Sequence, residues 1–260
     1  MPPRLTIGYS TTAARVAGMV PPPSDPAARV LVVVQVADGD PPDWRSTLPA
    51  PLAARPDVGW LEQPGRGVTR SRNLVLDSTT TPYLLFGDDD VAFCPDGVRA
   101  AVRLLDDDPR ANLVLGAASD EQGRPRKRYP AVVEPLNLRN SAKAATYEML
   151  VRVDAVRALG VRFDERFGAG ATHYLGDEYI FCADVLRAGG RGLHGPIVLA
   201  RHPGDSSGAR WGTAADRRAR AAVFDRVFGR LAPAARLVFG LRRLRRLGGV
   251  TGVLRFAAGR

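Results

Sequence analysis

The sequence predicts an α/β fold in which a mostly parallel sheet is flanked by helices. Short apolar runs rich in β-branched residues alternate with segments of helical periodicity along most of the chain. Strands that alternate with helices form parallel sheets, because each parallel connection needs a crossover long enough to hold a helix. A chain of 260 residues, 45% of them apolar, suits one such domain with an appendage.

The individual elements follow from apolar runs and from the Gly and Pro residues that bound them. Strands are predicted at LTIGYS (5–10), RVLVVVQVA (29–37), VGWLEQ (58–63), TPYLLFG (81–87) and ANLVLGAAS (111–119). Helices are predicted within GRGVTRSRNLVLDST (65–79), between Pro95 and Pro109, and from Gly176 to Gly189. An irregular, basic segment from Ser119 to Asn140 precedes a strand and short helix within ATYEMLVRVDAVRALG (145–160).

One predicted strand runs directly into three aspartates, in YLLFGDDDV (83–91). Side chains of an extended backbone alternate, so Asp88 and Asp90 are expected on the same side. Two carboxylates so placed suit Mg²⁺ or Mn²⁺, which keep their other coordination positions for water and substrate phosphates. Ligands of open α/β sheets bind beyond the carboxyl ends of the strands, where these acids fall. On the residues alone, a solvated acidic loop is the alternative.

A second pair of acids, Asp177 and Glu178, opens a predicted helix. Carboxylates in the first turn stabilise the helix dipole by about 0.3–1 kcal/mol, which alone explains their presence. A helix N-terminus at a pocket also holds a carboxylate ionised and oriented, as a general base requires.

Basic residues offer two further candidate sites. The stretch from Gly65 to Asn73 has three arginines within seven residues, which suits phosphate groups but also a solvated loop. It lacks the spacing of a P-loop. His202 follows the strand-like run IVLA (197–200), and it is either a packed side chain or a metal ligand.

In this order and spacing, three segments resemble the bacterial glycosyltransferase family 2, whose members are inverting enzymes of the GT-A fold. The segments are GxxxxRSRNLVLDSTTTPYLLFGDDDV, FDERFGAGATHYLGDEYIFCADVLRAGGR and HPGDSSG. The resemblance covers roughly residues 5 to 212. It implies a GT-A domain over residues 1–214, with a nucleotide-sugar half at about 1–118 and an acceptor half at about 119–214.

The resemblance also implies roles for particular residues. The donor is a nucleotide-diphospho-sugar, and the implied donor-binding residues are Asp38, Arg70, Arg72, Asn73 and Asp88. The implied ligands of the Mg²⁺ or Mn²⁺ ion that bridges the diphosphate are Asp88, Asp90 and His202.

Catalysis by the acidic pair is implied in the same way. Glu178 takes the position of the family's general base, with Asp177 as its neighbour, and it removes the proton from an acceptor hydroxyl during inverting transfer. The chain has DE where ED is usual, so both carboxylates are candidates.

Two other departures from the family pattern bear on substrate. The nucleobase-contacting aspartate corresponds to Asp38 or Asp40, because QVADGD lacks the usual Ser-x-Asp continuation. The QxxRW motif of processive synthases is absent, and GARWG, which contains Trp211, matches only part of it. A non-processive transferase of cell-surface glycans or glycosylated metabolites is therefore favoured, with a glycan, lipid-linked or small-molecule acceptor.

The net charge of +10 lies entirely in the last part of the chain. Residues 216–260 contain twelve arginines, no lysine and two aspartates, whereas the first 215 residues are neutral. Residues 215–260 are predicted as a basic helical extension. Within it, RLVFGLRRLRRLGG (236–249) has the pattern of an amphipathic helix that lies on an anionic membrane or packs on the domain with a solvated Arg face.

The absence of a signal-peptide pattern, of a membrane span and of any Cys motif predicts a cytoplasmic protein, with the inner membrane face as its peripheral site. Two other functions are alternatives. A sugar nucleotidyltransferase would carry a Gly-rich basic loop after the first strand, but LTIGYSTTAAR has one glycine there. A nucleic-acid-binding protein would use the Arg-rich tail, but the neutral domain and 7% aromatic residues disfavour it, so no nucleic-acid partner is expected.

Overall fold

The computed structural model describes residues 2–202 and 213–259, and it confirms the α/β fold with a mostly parallel sheet. The strands are β1 Leu5–Thr12, β2 Ala28–Val36, β3 Val58–Pro64, β4 Tyr83–Asp88, β5 Ala92–Phe93, β6 Ala111–Ser119, β7 Glu134–Pro135, β8 Met149–Arg152 and β9 Arg191–Arg201. The helices are α1 Ala50–Ala53, α2 Val68–Ser78, α3 Pro95–Asp107, α4 Val153–Ala158, α5 Asp177–Arg187, α6 Ala214–Phe228, α7 Ala232–Leu241 and α8 Val250–Ala257. Within these ranges, no helix has the length and apolar character needed to cross a bilayer.

The strands form one mixed sheet in the order β3-β2-β1-β4-β8-β6-β9-β5, and β7 also pairs with β9. Strands β1 to β4 are parallel to one another, and β6 and β9 run in the same direction as they do. Strand β8 is antiparallel to both of its neighbours and joins the two parallel groups. Its direction could not be predicted, because the alternation of apolar residues is the same in both directions.

Both faces of the sheet are buried, which explains the near-continuous apolar runs. In β4, Tyr83 and Leu85 belong to one core cluster, and Leu84 and Phe86 belong to the other. Helix α3 contributes to the first cluster, whereas α2 and α5 contribute to the second. Residues that alternate along one strand therefore anchor helices on opposite faces of the sheet.

The acids that the sequence singled out lie where parallel strands end. Strand β4 ends at Asp88, beside the end of β1, and α5 begins at Asp177. Hydrogen bonds from Arg72 of α2 reach both carboxylates. Two helices and the sheet therefore converge at the edge where α/β proteins bind ligands.

The first helix of the basic extension is part of the domain core. Val223 and Val227 of α6 pack with residues of α5 in one buried cluster. Arg226 donates from Nε to Asp164 at 2.8 Å and from its terminal nitrogens to Asp184 at 3.0 and 2.6 Å. Helix α6 therefore fixes both α5 and the loop before it.

A glycine permits the close approach of α6 to the start of α5. Gly176 precedes α5 with φ +91°, a conformation that side chains with a Cβ rarely adopt. A Cβ at this position would lie 2.4 Å from a methyl carbon of Val223. The backbone conformation and the contact with α6 both require glycine here.

The prediction of one amphipathic helix over residues 236–249 is wrong, because α7 ends at Leu241. Residues 242–248 form turns, and Gly248 and Gly249 take φ values of +79° and +90° before α8 begins. This reversal places Leu247, which is 4% exposed, in an apolar cluster with α8 and α6. Tertiary burial of that leucine outweighs the local helical pattern.

Replacing Arg226 with alanine should lower the free energy of unfolding by about 1.5–3 kcal/mol, because charge-assisted hydrogen bonds to two partly buried aspartates are lost. Chemical denaturation measures this change. Arg230→Ala, at an exposed position just after α6, is the matched control. Equal stabilities of the two variants would contradict the role assigned to Arg226.

Candidate active site

Arg72 is the cation at the centre of the candidate site. Its side chain is 6% exposed, and one terminal nitrogen donates to Oδ1 of Asp88 at 3.0 Å. The other terminal nitrogen donates to Oδ2 of Asp177 and lies 3.6 Å from Oε1 of Glu178. One guanidinium therefore joins the end of β4 to the first turn of α5, and three of the predicted site carboxylates meet around it.

These carboxylates leave the site with an excess of negative charge, since one guanidinium faces three acids. Burial raises the pKa of Asp88, against the opposing charge of Arg72. Burial also raises the pKa of Asp177, and the charge of Glu178 adds to that rise. A second cation bound here would stabilise the ionised acids, because an opposite charge within about 4–6 Å favours the charged form.

The middle aspartate of the triplet is held by residues of the first strand and its following loop. Asp89 accepts a hydrogen bond from Oγ1 of Thr11 at 2.5 Å, and its other oxygen lies 2.5 Å from Arg15. The same nitrogen of Arg15 lies 3.7 Å from Asp90. Arg15 therefore supplies a positive charge between two aspartates, and its half-exposed guanidinium retains donors for another group.

Asp90 and His202, two of the three predicted metal ligands, lie next to each other. Nε2 of His202 lies 3.5 Å from Oδ1 of Asp90, whose side chain is 42% exposed. The imidazole packs on Tyr147 with ring centroids 4.9 Å apart, and among the described residues its buried Nδ1 has no hydrogen-bond partner. The backbone N–H of His202 donates to the carbonyl of Ser119 at the end of β6. The imidazole that follows β9 therefore lies at the acidic edge, next to Asp90.

Asp90 and His202 fit a divalent cation that also takes ligands from a substrate. Neighbouring ligands of an octahedral ion, each about 2.1 Å from the metal, are about 3 Å apart. The 3.5 Å between the two side chains is close to that spacing. In residues 2–202 and 213–259, no three His, Cys, Asp or Glu side chains are grouped to hold a metal ion alone. Phosphate oxygens and water would therefore complete the coordination.

Glu178 is the member of the acidic pair that a substrate can reach. Its side chain is 20% exposed, whereas that of Asp177 is 4% exposed and bonded to Arg72. Oγ1 of Thr146 donates to Oε1 of Glu178 at 2.7 Å. This bond orients the carboxylate of Glu178, which remains partly accessible to a substrate.

The short 3₁₀ turn Thr146–Glu148 is held by a buried ion pair. Glu148 is 1% exposed, and it accepts from Nζ of Lys127 at 2.5 Å and from the hydroxyl of Tyr129 at 2.6 Å. Burial raises the pKa of Glu148, and the charge of Lys127 opposes that shift. The basic segment from Ser119 to Asn140 is thereby attached to the turn that orients Glu178.

Within the described residues, the other predicted donor-binding residues form no hydrogen bond or ion pair with the carboxylates around Arg72. Arg70 is exposed on α2, and Asp38 is exposed after β2. Asn73 is buried. Its side-chain amide accepts a hydrogen bond from the backbone N–H of Phe163 at 2.8 Å and donates one to the carbonyl of the same residue at 3.0 Å. These contacts give Asn73 a structural role, and the donor-binding roles of all three stay predictions.

Asp40, the alternative to Asp38, has a partner of its own. Both of its oxygens accept from Arg66 at 2.7 Å, and these hydrogen bonds lower the pKa of its carboxyl group. The side chain of Gln35 accepts from the backbone of Gly67 at 2.9 Å. The end of β2 is thereby tied to the loop before α2, and Asp38 is the more accessible aspartate.

Sequence reasoning missed Thr11, Arg15 and Thr146, each of which reaches a site carboxylate from a distant part of the chain. No local pattern marks such residues, because their partners are fixed by the sheet. The rest of HPGDSSG after His202, and Trp211, lie outside the described residues.

Comparison of the whole chain with solved structures identifies its fold. The S. aureus protein TarS, residues 1–349 in complex with UDP-GlcNAc, matches with a TM-score of 0.58 and 11% identity over 87% of this chain and 67% of that one. The mannosyltransferase PcManGT from Pyrobaculum calidifontis, in complex with GDP-Man and Mn²⁺, matches with a TM-score of 0.59 and 16% identity over 99% and 74%. The chain has the glycosyltransferase GT-A fold.

TarS in complex with UDP matches the GT-A fold of this chain in the same way, with a TM-score of 0.59 and 11% identity over 95% of this chain and 72% of that one. By sequence alone, no protein-family model and no curated protein matches the chain. At these identities the GT-A similarity is one of fold, so the chemistry must be argued from the site itself.

Asp177→Asn should remove a pH dependence of stability. Burial and the charge of Glu178 raise the pKa of Asp177 to about 8, so ionising this group costs more free energy in the folded chain than in the unfolded chain. Wild type should therefore lose stability as the pH rises from about 4, the ordinary value for aspartate, towards 8. The melting temperature of the variant, relative to wild type, should therefore be higher at pH 8 than at pH 5. Asp96→Asn, at an exposed position of α3, should show no such trend. A relative melting temperature that falls between pH 5 and pH 8 would contradict the raised pKa.

Proposed function

We propose that the protein is an inverting, metal-dependent glycosyltransferase of family 2, which moves a sugar from a nucleotide-diphospho-sugar to an acceptor hydroxyl. The observation that carries this proposal is the convergence of Asp88, Asp177 and Glu178 on Arg72 at the carboxyl edge of the sheet. That arrangement combines a cation-binding group of acids with a reachable carboxylate on one side of it. The GT-A fold supports the same chemistry.

The donor diphosphate would lie against the acids at the end of β4. Asp90 and His202 would hold the Mg²⁺ or Mn²⁺ ion together with phosphate oxygens and water, and the ion would supply positive charge to the departing nucleoside diphosphate. Asp88, the third predicted ligand, is bonded to Arg72 and would add negative charge near the ion. Arg15 lies between Asp89 and Asp90 with part of its guanidinium exposed, so its remaining N–H groups can donate to phosphate oxygens.

Glu178 is the proposed general base. Its carboxylate takes the proton of the acceptor hydroxyl while the hydroxyl oxygen bonds to the anomeric carbon. The bond from the anomeric carbon to the diphosphate breaks on the opposite face, so the configuration inverts. Asp177 is unsuited to this role because Arg72 occupies it, and its part is to hold Arg72 and the helix start in place. Thr146 keeps Glu178 oriented towards the acceptor side.

The proposal includes the place of the reaction, which is the cytoplasm, with peripheral attachment to the inner membrane face through the C-terminal extension. The two alternative functions predict that the protein binds different ligands. A sugar nucleotidyltransferase would bind nucleoside triphosphates, and a nucleic-acid-binding protein would bind oligonucleotides with steep salt dependence and no nucleotide sugar.

Calorimetric titration with UDP, GDP and dTDP tests the donor site. Wild type should bind one of them in a Mn²⁺-dependent manner, and Asp90→Asn should weaken that binding about tenfold or more, since a metal ligand is lost. Asp96→Asn, whose side chain is 99% exposed on α3, should bind as wild type does. Absence of binding for all three nucleotides, with and without metal, would refute the proposed function.

Glu178→Gln should lower kcat by about 10²–10⁴-fold, because the amide cannot accept the hydroxyl proton. Nucleotide binding measured by calorimetry should be retained, which separates loss of the base from misfolding. The anomeric configuration of the wild-type product, determined by NMR, should be opposite to that of the donor. A retained configuration, or a fully active Gln variant, would exclude the mechanism.

A further inference from the structure

Exposed apolar side chains are concentrated near the C-terminus. Of the eleven large apolar side chains that are exposed within the described ranges, seven lie between residues 231 and 254. They are Leu231, Leu237, Val238, Leu241, Leu244, Val250 and Leu254. Scattered exposed leucines need no explanation, but a concentration in one segment of a folded chain marks an interaction surface.

In α7 these residues form a stripe along one side of the helix. Leu237, Val238 and Leu241 have the spacing of neighbours on a helix surface, and they are 39%, 54% and 60% exposed. The buried residues Arg236 and Gly240 lie on the other side of α7. The helix therefore has an inner face used for packing and an outer apolar face.

Helix α8 has the same arrangement. Val250 and Leu254, one helical turn apart, are 65% and 59% exposed. Val253 and Phe256 face the interior and are 1% and 0% exposed. Both helices of the C-terminal hairpin, defined here as α7, residues 242–248 and α8, thus carry an outer apolar stripe.

The inner faces of the hairpin are already packed, so the outer stripes are not an unfinished core. Leu247, Val253 and Phe256 form a buried cluster with Ala221 of α6. Arg236, which is 4% exposed, donates to the carbonyl of Ala257 at 3.1 and 3.0 Å and pairs with an aspartate of α6. The hairpin is therefore a folded element that presents leucines outward.

Positive charge accompanies the outer stripes. Arg242 and Arg245 are exposed in the turn between the two helices, and Arg255 is exposed on α8. No acidic residue follows Asp225 in the sequence, so nothing acidic in the hairpin neutralises these guanidiniums. Apolar side chains flanked by arginines match a bilayer interface, where acyl chains lie beneath anionic headgroups.

We propose that the outer face of the C-terminal hairpin is a docking surface for an anionic phospholipid membrane. Leu237, Leu241 and Leu254 insert at the level of the upper acyl chains, while Arg242 and Arg245 bind headgroup phosphates. This inference names the surface that would attach the protein to the membrane in the proposed function. It rests on that proposal only for which leaflet is bound.

Attachment by the hairpin would hold the candidate active site near the lipid surface. Helix α6 packs on the hairpin through Ala221 and on the start of α5 through Val223, which contacts Gly176. One helix therefore separates the docking surface from Asp177 and Glu178. This placement suits an acceptor that is itself carried on a membrane lipid.

Vesicle flotation of the full-length protein tests the surface. The protein should float with phosphatidylcholine vesicles that contain phosphatidylglycerol and should stay unbound with pure phosphatidylcholine. Leu241→Ser combined with Leu254→Ser, and Arg242→Gln combined with Arg245→Gln, should each reduce the bound fraction about tenfold or more. Val132→Ser, at a 69% exposed position in another part of the chain, is the matched control and should bind like wild type.

Three outcomes would overturn the inference: no flotation, equal flotation with neutral vesicles, or flotation that both double variants leave unchanged. Sedimentation velocity provides a fourth. If the wild-type protein does not float and is a dimer that the Leu241→Ser, Leu254→Ser double variant dissociates, the surface binds a second copy of the chain instead of a membrane. Calorimetric binding of the donor nucleotide by each variant shows that the fold is intact. It also separates failure of membrane docking from failure of the proposed enzyme.

Discussion

The buried guanidinium of Arg72 is the interaction on which the rest of the site depends. A carboxylate removed from water is strongly destabilised unless a cation compensates it, and here three carboxylates share one arginine. Because Arg72 belongs to α2, while its partners belong to β4 and α5, the compensation also fixes three elements relative to one another. The remaining negative charge would favour a further cation, as the proposed site for a metal and a diphosphate requires.

Helix α5 is held from two sides, and this gives Glu178 a fixed position. Arg72 binds its first turn from within the domain, whereas α6 packs on it from the C-terminal extension through Val223. Arg226 adds a second attachment further along α5 at Asp184. A general base must lie within hydrogen-bond reach of its proton, so rigid support of this helix matters for the proposed chemistry. The extension is therefore part of the structure that positions the proposed base, and it also carries positive charge.

Local patterns predicted most of the fold, because the buried strands β1, β2, β4 and β6 and the helices α3 and α5 are each encoded by periodicity and by Gly or Pro at their ends. The resemblance marked Asp88, Asp177 and Glu178 as site residues, and in the structure all three lie around Arg72. Features that depend on tertiary packing were mispredicted or not predicted. The helix over residues 236–249 was mispredicted, because α7 ends at Leu241, and the direction of β8 and the contacts of Arg15 and Thr146 were not predicted. Each is decided by residues far away in the chain, which a window of neighbouring residues does not contain.

The segment between β6 and the Thr146–Glu148 turn has a consequence for divergence among related enzymes. Tyr129 accepts from the backbone of Ala118 in β6 and donates to Glu148, so the segment is fastened at its base. Exposed residues between these anchors can change without moving Thr146 or the carboxylate it orients. In the proposed enzyme, changes in this segment would let related proteins take new acceptors, while Thr146 and Glu178 keep the proposed transfer chemistry unchanged.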